Sequence, residues 1–436
     1  MIFGLELQPD PFAGQRKGSI TPNLPAGISP AKNLTAKERL ENFEFLWNAI
    51  NITYPFFKLK SINWDEVRVQ YKELLDAVKD DDGFYALMYR LMNELKDAHS
   101  QIENMKAPLL SDVGGVLIDL FEGKPIVSSV RRDSPFANVG VKLGWEVLSV
   151  DGMTPAEKLQ ALRPYLRACS SERAFQHQAI RSLLWGSQGS AIELKLRSPE
   201  GRMEMFSFRR DSAPMMGPAF HMVTFPMTQQ RYVNFCKHAS GLGYIWIRTF
   251  AGREEIVADF NRALDELRDT PGLILDIRGN AGGFGQPQIV SRLLRKRSLV
   301  SVQYIKNGKH ENDFSRREQY LEPGGPWQYS RPIALLVDTA TGSASDLFAC
   351  QLRSAERVIT VGTPTHGNLS GTAAFAVLPC GLTVRITNGY ITDAKGRIIE
   401  VNGNEPDYRV EPTISDFLNR RDPVMEKAVE LLLARK

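Results

Sequence analysis

The sequence lacks the cysteine spacing that disulfide frameworks, zinc ribbons and redox dithiols require. Its four cysteines are scattered over 436 residues, and no two of them form a C-x-x-C pair. Six histidines are present, but none belongs to an H-E-x-x-H or comparable ligand pattern. The sequence therefore predicts no metal site and no cofactor, and it leaves the redox compartment open.

A strong charge imbalance and long hydrophobic runs are also missing. The formal net charge is only +4, with Lys and Arg interspersed among acids, which gives no indication of a nucleic acid or anionic membrane as partner. No apolar run approaches the roughly 18 residues that a transmembrane helix needs. The opening residues lack the basic-then-apolar pattern of a secretory signal peptide. A hydrophobic content of 43% and a charged content of 24% are typical of a globular protein.

The composition and the spacing of apolar residues change three times along the chain, which predicts four structural parts. Residues 1–35 are rich in Pro, Gly and Asn without periodicity, which indicates an extended arm. Helical spacing of apolar residues predicts a helical region over 36–107, and short β-like runs between turns predict a β-rich domain over 108–212. Over 213–436, Val/Ile/Leu-rich strands alternate with amphipathic helices. This alternation predicts an α/β fold with a mostly parallel sheet covered by helices on both faces.

In such a sheet, reactive groups gather in the turns after the strands, and the turn "TATGSASD" follows the predicted strand 333–337. A serine at a strand-to-helix turn exposes its hydroxyl, and the free N–H groups of the helix start stabilise negative charge. These are the surroundings of a catalytic nucleophile. A purely structural N-cap is the alternative.

The Gly-rich turn "RGNAGG" follows the predicted strand 273–277. It matches neither a P-loop nor G-x-G-x-x-G, so a phosphate site is not indicated. Its glycines allow close backbone approach and free N–H groups that face a substrate, or they form an ordinary turn. A serine nucleophile also needs a base, and His99 and His366 are the candidates because each ends a regular element beside small residues.

Four segments in this order resemble the carboxyl-terminal processing peptidases, also called tail-specific proteases. They are "KDAHSQI", "GLILDIRGNAGG", "ATGSASDLFACQL" and "GYITDAKGRIIEVNGNEPDYRV", and the resemblance covers about 36–412. It implies a crotonase-like protease core and a serine endopeptidase that forms an acyl-enzyme with a polypeptide substrate. It also implies an extracytoplasmic location, periplasmic or secreted.

By motif position, the resemblance makes Ser343 the nucleophile. The backbone N–H of Ala344 would line the oxyanion hole, together with that of Gly282 as the first choice or Gly283 as the second. The best-known branch of the family uses a lysine base in a G-E-x-T-x-G-K pattern, whereas this chain reads "GTPTHGN" and has Asn368 in the lysine place. An amide accepts no proton at neutral pH, so a Ser–Lys dyad is excluded unless another lysine reaches the site. Asn368 is then a candidate hydrogen-bond donor near the site.

The tricorn-protease-like branch uses a histidine and a glutamate instead, and His99 and Glu400 stand in the matching places. The resemblance implies that His99 takes the proton of Ser343 and that Glu400 holds the imidazole in the correct tautomer. His366 remains the alternative base, and Glu405 is the other acid of the closing segment.

The run "PIVSSVRRDSPFANVGVKLGWEVLSVDGMTP" is similar to part of a PDZ domain, with Trp145 where an Asp is usual. This similarity implies that an extended peptide tail adds to a sheet edge and that a loop captures its carboxylate. Gly114, Gly115, Val116 and Leu117 are the residues predicted for that loop. A simple lid or spacer is the alternative.

Two other functions stay open on the same fold. Retinoid-binding relatives show that the scaffold also serves apolar ligands without catalysis, and an esterase or amidase would use the same groups. The joint presence of Ser343, His99 and Glu400 favours the peptidase. The sequence makes no prediction of the oligomeric state.

Overall fold

The computed structural model describes residues 18–21, 23, 29–105, 110–213, 225–308 and 313–434. Most of the predicted N-terminal arm, the predicted boundary between residues 107 and 108, and His221 and His310 lie outside these ranges. The predicted division into domains therefore stays a prediction. No helix in the described part of the chain combines the length and the apolar character needed to cross a bilayer.

The helices and strands are numbered in chain order. The helices are α1 (Ala36–Thr53), α2 (Trp64–Asp76), α3 (Asp81–Asn93), α4 (Pro135–Asn138), α5 (Pro155–Leu162), α6 (Glu172–Ala179), α7 (Glu254–Glu266), α8 (Pro287–Ser291), α9 (Ala344–Leu352), α10 (Ile414–Leu418) and α11 (Pro423–Leu433). The strands are β1 (Ser19–Thr21), β2 (Gln101–Ile102), β3 (Val116–Phe121), β4 (Lys124–Val130), β5 (Glu146–Val150), β6 (Ala191–Arg197), β7 (Met203–Arg209), β8 (Thr228–Gln229), β9 (Val233–Lys237), β10 (Gly243–Ile247), β11 (Leu273–Asp276), β12 (Ser298–Lys306), β13 (Phe314–Leu321), β14 (Ile333–Val337), β15 (Val358–Gly362), β16 (Ala373–Val377), β17 (Thr383–Thr387), β18 (Gly389–Thr392) and β19 (Tyr408–Arg409). Two 3-10 turns follow α5 and α6.

The core of the molecule is a seven-stranded sheet with the order β19-β15-β14-β11-β10-β9-β8. In this sheet β10, β11, β14, β15 and β19 pair in parallel, and β9 and β8 add an antiparallel edge. Every residue of β11 and β14 is buried, which explains why these strands read as unbroken apolar runs. Along β11, Leu273 and Leu275 pack with α7, α8 and α9, whereas Ile274 faces α11. The predicted mostly parallel sheet with helices on both faces is confirmed.

The helices α1, α2 and α3 pack against a second sheet, whose order is β1-β16-β17-β2. Their shared core includes Phe43 and Leu91 from the helices and Val384 and Ile386 from β17. Strand β2 follows α3 and pairs with β17 at Gln101 and Ile102. The end of the helical region is thereby joined to strands that belong to the second half of the chain.

A third sheet has the order β3-β4-β5-β6-β7, and all its neighbouring strands are antiparallel. Helices α5 and α6 cover one face and form a separate core with residues such as Phe175 and Leu194. Strand β3 lies at one edge of this sheet and β7 at the other. A fourth, three-stranded sheet has the order β13-β12-β18.

Three loops meet at one edge of the core sheet because β11, β14 and β15 are parallel neighbours. The Gly279 N–H donates to both carboxylate oxygens of Asp338, at 3.0 and 3.1 Å. The His366 N–H donates to the Thr341 carbonyl at 2.8 Å. The Gly-rich turn, the turn that carries Ser343 and the loop after β15 are therefore bonded into one surface.

Gly362 allows the last of these loops to leave its strand. Its φ is +132°, and a Cβ built there would lie 1.9 Å from the Val337 carbonyl oxygen. We expect Gly362→Ala to lower the free energy of unfolding by about 2–4 kcal/mol, because backbone must move as well as adopt a strained φ. Urea unfolding measures this loss. Gly201→Ala is the matched control, since Gly201 has a φ of +89° but nothing within 4 Å of the added methyl group. Equal losses in the two variants would contradict the steric explanation.

Candidate active site

Ser343 sits in an unusual backbone conformation at the start of α9. Its φ is 56° and its ψ is −117°, a region that residues with a Cβ rarely occupy and that is frequent at functional sites. Two acceptors hold its N–H in place: Asp346 Oδ2 at 3.0 Å and Asn368 Oδ1 at 2.5 Å. The strain is therefore compensated by side chains from α9 and from the loop after β15.

His99 contacts the hydroxyl of Ser343 directly, with Nε2 and Oγ 3.0 Å apart. The turn after α3 positions the imidazole. In this turn Asp97 accepts the His99 N–H and the Ser100 hydroxyl, both at 2.8 Å. The Ser100 hydroxyl in turn accepts the N–H of Thr387 in β17 at 3.0 Å. The structure thus brings the predicted nucleophile and the predicted base together.

Burial sets the proton affinity of His99. Removal from water lowers the pKa of the imidazole to about 4, and the negative charge of Asp97 only partly opposes this. The ring is neutral at pH 7 and Nε2 is free to accept a proton from Ser343.

Glu400 does not make the predicted hydrogen bond to His99. Its carboxylate is fully buried, and Oε1 accepts from the Lys60 ammonium at 2.7 Å. Within the described part of the chain, Glu400 Oε2 and His99 Nδ1 have no hydrogen-bond partner. Lys60, from the loop between α1 and α2, is the ion-pair partner of this carboxylate, and the role predicted for Glu400 beside His99 stays a prediction. Burial raises the pKa of Glu400 to about 7, and the Lys60 ammonium opposes this shift.

The Gly-rich turn packs against the nucleophile, but its free donor is not the residue that the sequence favoured. A Cβ on Gly282 would lie 2.7 Å from Ser343 Cβ. The N–H of Gly282 is occupied, since it donates to Asn280 Oδ1 at 3.0 Å. The N–H groups of Gly283 and Ala344, by contrast, have no acceptor among the residues that the structure describes. Gly283, the second choice from the sequence, and Ala344 are therefore the residues whose N–H groups remain available, and their part in an oxyanion hole stays a prediction.

Asp346 joins the nucleophile turn to the loop after β15, a role that its place in the motif did not reveal. Besides Ser343, it accepts hydrogen bonds from the Thr365 hydroxyl and, at 3.2 Å, from the N–H groups of Gly367 and Asn368. Burial raises the pKa of Asp346 to about 6, and these hydrogen bonds oppose the shift. Asn280 plays a similar part on the other side: its side chain bonds the Ile247 carbonyl and its own carbonyl accepts the Gly342 N–H.

The two remaining candidates near Ser343 are placed differently from the expectation. The Asn368 side chain accepts a hydrogen bond from the nucleophile's backbone, where the sequence suggested a donor. His366 is buried, and its Nδ1 has no partner within the described residues. Burial lowers the pKa of His366 to about 3. Of the two candidate bases, His99 is the one that bonds the Ser343 hydroxyl.

The predicted carboxylate loop lies in the five-stranded sheet, apart from the sheet that carries Ser343. Gly114 and Gly115 have φ values of +79° and +78° and lead into the edge strand β3, which begins with Val116 and Leu117. The Gly115 carbonyl accepts the Arg131 N–H at 2.8 Å. In the described ranges, no group of three or more His, Cys, Asp or Glu side chains is arranged to hold a metal ion.

Two family models match this chain. Residues 241–410 match peptidase family S41, and residues 35–93 match the tricorn protease C1 domain. The first segment includes Ser343, the Gly-rich turn and Glu400; the second includes Lys60 and ends shortly before His99.

Curated relatives show the same two similarities, to tricorn proteases and to carboxy-terminal processing proteases. The chain is 25% identical over 407 residues to a putative tricorn protease homolog 2 of Streptomyces coelicolor, which covers 85% of this chain and 30% of that protein. It is 26% identical over 295 residues to the carboxy-terminal processing protease CtpB of Bacillus subtilis, which covers 67% of this chain and 54% of that protein. The chain thus spans about a third to a half of the length of these relatives.

Solved structures support the fold. The crystal structure of mature CPAF matches with a TM-score of 0.74 at 16% identity, over 91% of this chain and 96% of that one. The photosystem II D1 C-terminal processing protease matches with a TM-score of 0.50 at 21% identity, over 92% of this chain and 98% of that one.

The low pKa of His99 predicts how the reactivity of Ser343 depends on pH. Because only the neutral imidazole accepts the serine proton, the decrease in fluorophosphonate labelling that is caused by protonation of His99 should have its half-point near pH 4. His366→Ala should leave this profile unchanged. A half-point near about 6.5, the ordinary value for histidine, would contradict the buried setting of the base.

The bond between Asn368 and the nucleophile's backbone predicts a loss in kcat. We expect Asn368→Ala to lower kcat about tenfold with little change in KM, since one net hydrogen bond of about 1–1.5 kcal/mol that holds the strained Ser343 is lost. The exposed Asn402→Ala is the control. Loss through KM alone would show that Asn368 acts on substrate binding.

Proposed function

Because residues 241–410 match peptidase family S41 and residues 35–93 match the tricorn protease C1 domain, we propose that the chain is a serine endopeptidase acting on polypeptides. The observation that carries this proposal is the 3.0 Å contact between Ser343 Oγ and His99 Nε2. A neutral, buried imidazole beside a serine in a strained turn is the arrangement that an activated nucleophile needs. A protein that only binds apolar ligands does not require a neutral imidazole beside a serine hydroxyl.

The first half of the reaction acylates the enzyme. Ser343 Oγ attacks the carbonyl carbon of the scissile bond while its proton passes to His99 Nε2. The carbonyl oxygen becomes an oxyanion, and the N–H groups of Ala344 and Gly283 donate to it. Such donors contribute about 2.7–4 kcal/mol each to transition-state stabilisation. The C–N bond then breaks, and His99 returns its proton to the leaving amine.

The second half releases the product. Water attacks the ester carbonyl of the acyl-enzyme and gives a proton to His99. The tetrahedral intermediate collapses, Ser343 Oγ takes the proton back from His99, and a carboxylic acid leaves. In the imidazolium stages the nearby carboxylate of Asp97 stabilises the positive charge of His99.

We further propose that the five-stranded sheet, with its helices, is a PDZ-like module for substrate tails. Its edge strand β3 follows a turn in which Gly114 and Gly115 both have positive φ, and capture of a tail carboxylate by the backbone N–H groups of this turn is the role proposed for it. A peptide added along β3 would be held by main-chain hydrogen bonds, independent of most of its sequence. The predicted module of residues 108–212 would then present tails to the core.

Three variants test the peptidase proposal. Ser343→Ala and His99→Ala should each lower peptide hydrolysis by about 10⁴-fold or more, because the nucleophile and its base act as one unit. Ser343→Ala should also abolish fluorophosphonate labelling. His366→Ala is the matched control, a buried histidine on the same surface, and should keep at least most of the activity.

The substrate set separates the alternatives. Peptides with free and with amidated carboxyl ends are compared with a small ester, and preference for the free tail supports the tail-binding module. Hydrolysis of the ester alone would favour an esterase. A wild-type protein that is inert to all substrates and to the fluorophosphonate, yet retains a bound lipid, would overturn the enzyme in favour of an apolar-ligand carrier.

A further inference from the structure

Lys60 is a buried lysine that the mechanism above does not use. It lies in the loop between α1 and α2, and its side chain is 2% exposed. The ammonium donates to Glu400 Oε1 and to the Lys96 carbonyl, both at 2.7 Å. The rings of Phe56 and Tyr54 lie 5.0 and 5.6 Å from Nζ, so aromatic faces occupy the remaining directions.

Burial of this ion pair is costly. Each ion loses several kcal/mol of hydration, and a well-packed apolar pair of similar volume is frequently as stable or more stable. The 2.7 Å hydrogen bond between Lys60 Nζ and Glu400 Oε1 offsets part of this cost, whereas the complete burial of Glu400 adds to it. Stability alone is therefore a weak reason for this lysine.

The surroundings connect the pair with the catalytic base. The Lys96 carbonyl that Lys60 binds precedes Asp97 and His99 in the same turn. The charges of Lys60 and Asp97 act on both Glu400 and His99. The other groups that face the cluster are Tyr54 from the α1–α2 loop, Ser170 and Arg167 from the part that follows β5, and Arg385 from β17.

Lys60 faces two buried carboxylates. Its positive charge and the negative charge of Asp97 both act on Glu400, while Arg167 and Arg385 add positive charge near His99. Without Lys60, two carboxylates would share one buried site, and one of them would hold a proton because both cannot ionise there. Glu400 is the one that would be neutralised, since Asp97 keeps its bonds to His99 N–H and Ser100.

We propose that Lys60 is a positioning residue of the active site, which favours the ionised form of Glu400 and fastens the turn carrying His99 to the closing segment of the core. The catalytic part of this role rests on the proposed peptidase function. The pairing of Lys60 with Glu400 does not, and it can be measured without a substrate.

The activity test compares Lys60→Met with the double variant Lys60→Met/Glu400→Gln. In Lys60→Met we expect kcat/KM at pH 7 to fall about tenfold for each unit by which the Glu400 pKa exceeds the pH, and to rise again with pH as Glu400 ionises. In Lys60→Met this rise of kcat/KM with pH should have its midpoint above pH 7, at a higher pH than any rise in the wild type. The double variant cannot ionise at position 400, so the rise should be absent from its pH profile. A loss that is equal at every pH would show that Lys60 only fills space, and would overturn the proposal.

The stability test uses urea unfolding of the same variants. In Lys60→Met the folded-state pKa of Glu400 is raised above its unfolded value, so its folded state binds the extra proton and the free energy of unfolding should fall as pH rises from 5 to 8. The added Glu400→Gln should remove this slope and restore stability at pH 8. If Lys60→Met does not fold, recovery of folding in the double variant gives the same answer. No recovery and no difference in slope would overturn the pairing.

The two proposals fail in different ways. If the fluorophosphonate does not label the wild-type chain, the peptidase proposal is overturned, and the urea series still decides whether Lys60 favours the ionised form of Glu400. If labelling is normal and the loss of kcat/KM in Lys60→Met is the same at every pH, the positioning role is overturned and the peptidase proposal stands.

Discussion

The hydrogen bond between His99 Nε2 and Ser343 Oγ joins two residues that are 244 positions apart in the chain. One comes from the turn after the helical region and the other from a turn of the core sheet. The pairing exists only if α1, α2 and α3 dock on the sheet that contains β16 and β17. The large shared apolar core at this junction therefore fixes the distance between the His99 ring and the Ser343 hydroxyl.

Around Ser343, buried polar contacts fix the positions of the turns, as apolar packing does in the rest of the core. Asn280 fixes the Gly-rich turn, Asp346 fixes the loop after β15, and both also bond the backbone at Gly342 or Ser343. Each of these side chains is fully buried. A buried polar group that is satisfied by several fixed donors or acceptors tolerates few alternative geometries. The strained φ of Ser343 is thus maintained by a network rather than by one contact.

The sequence was sufficient for the sheet, because the sheet rests on a local pattern. The pair of Ser343 and His99 came from the resemblance to a family, since the residues alone left His366 open as the base. Unbroken apolar strands predict a sheet covered on both faces, and a serine in a strand-to-helix turn predicts an exposed hydroxyl. It was not sufficient for Glu400, whose partner Lys60 lies 340 positions away in a loop without a motif. Nor was it sufficient to choose between Gly282 and Gly283, since the choice depends on the orientation of the Asn280 amide. Long-range pairing of charges and occupancy of single N–H groups leave no periodic signal.

Strand β2 is only two residues long and lies at the edge of its sheet, directly after the turn that carries His99. Short edge strands open locally at a free energy well below that of global unfolding. Opening here would draw the imidazole away from the serine while every buried strand of the core stayed intact. The fraction of molecules ready for chemistry then depends on a ladder of only two residue pairs, and heat or denaturant should abolish activity before the core unfolds.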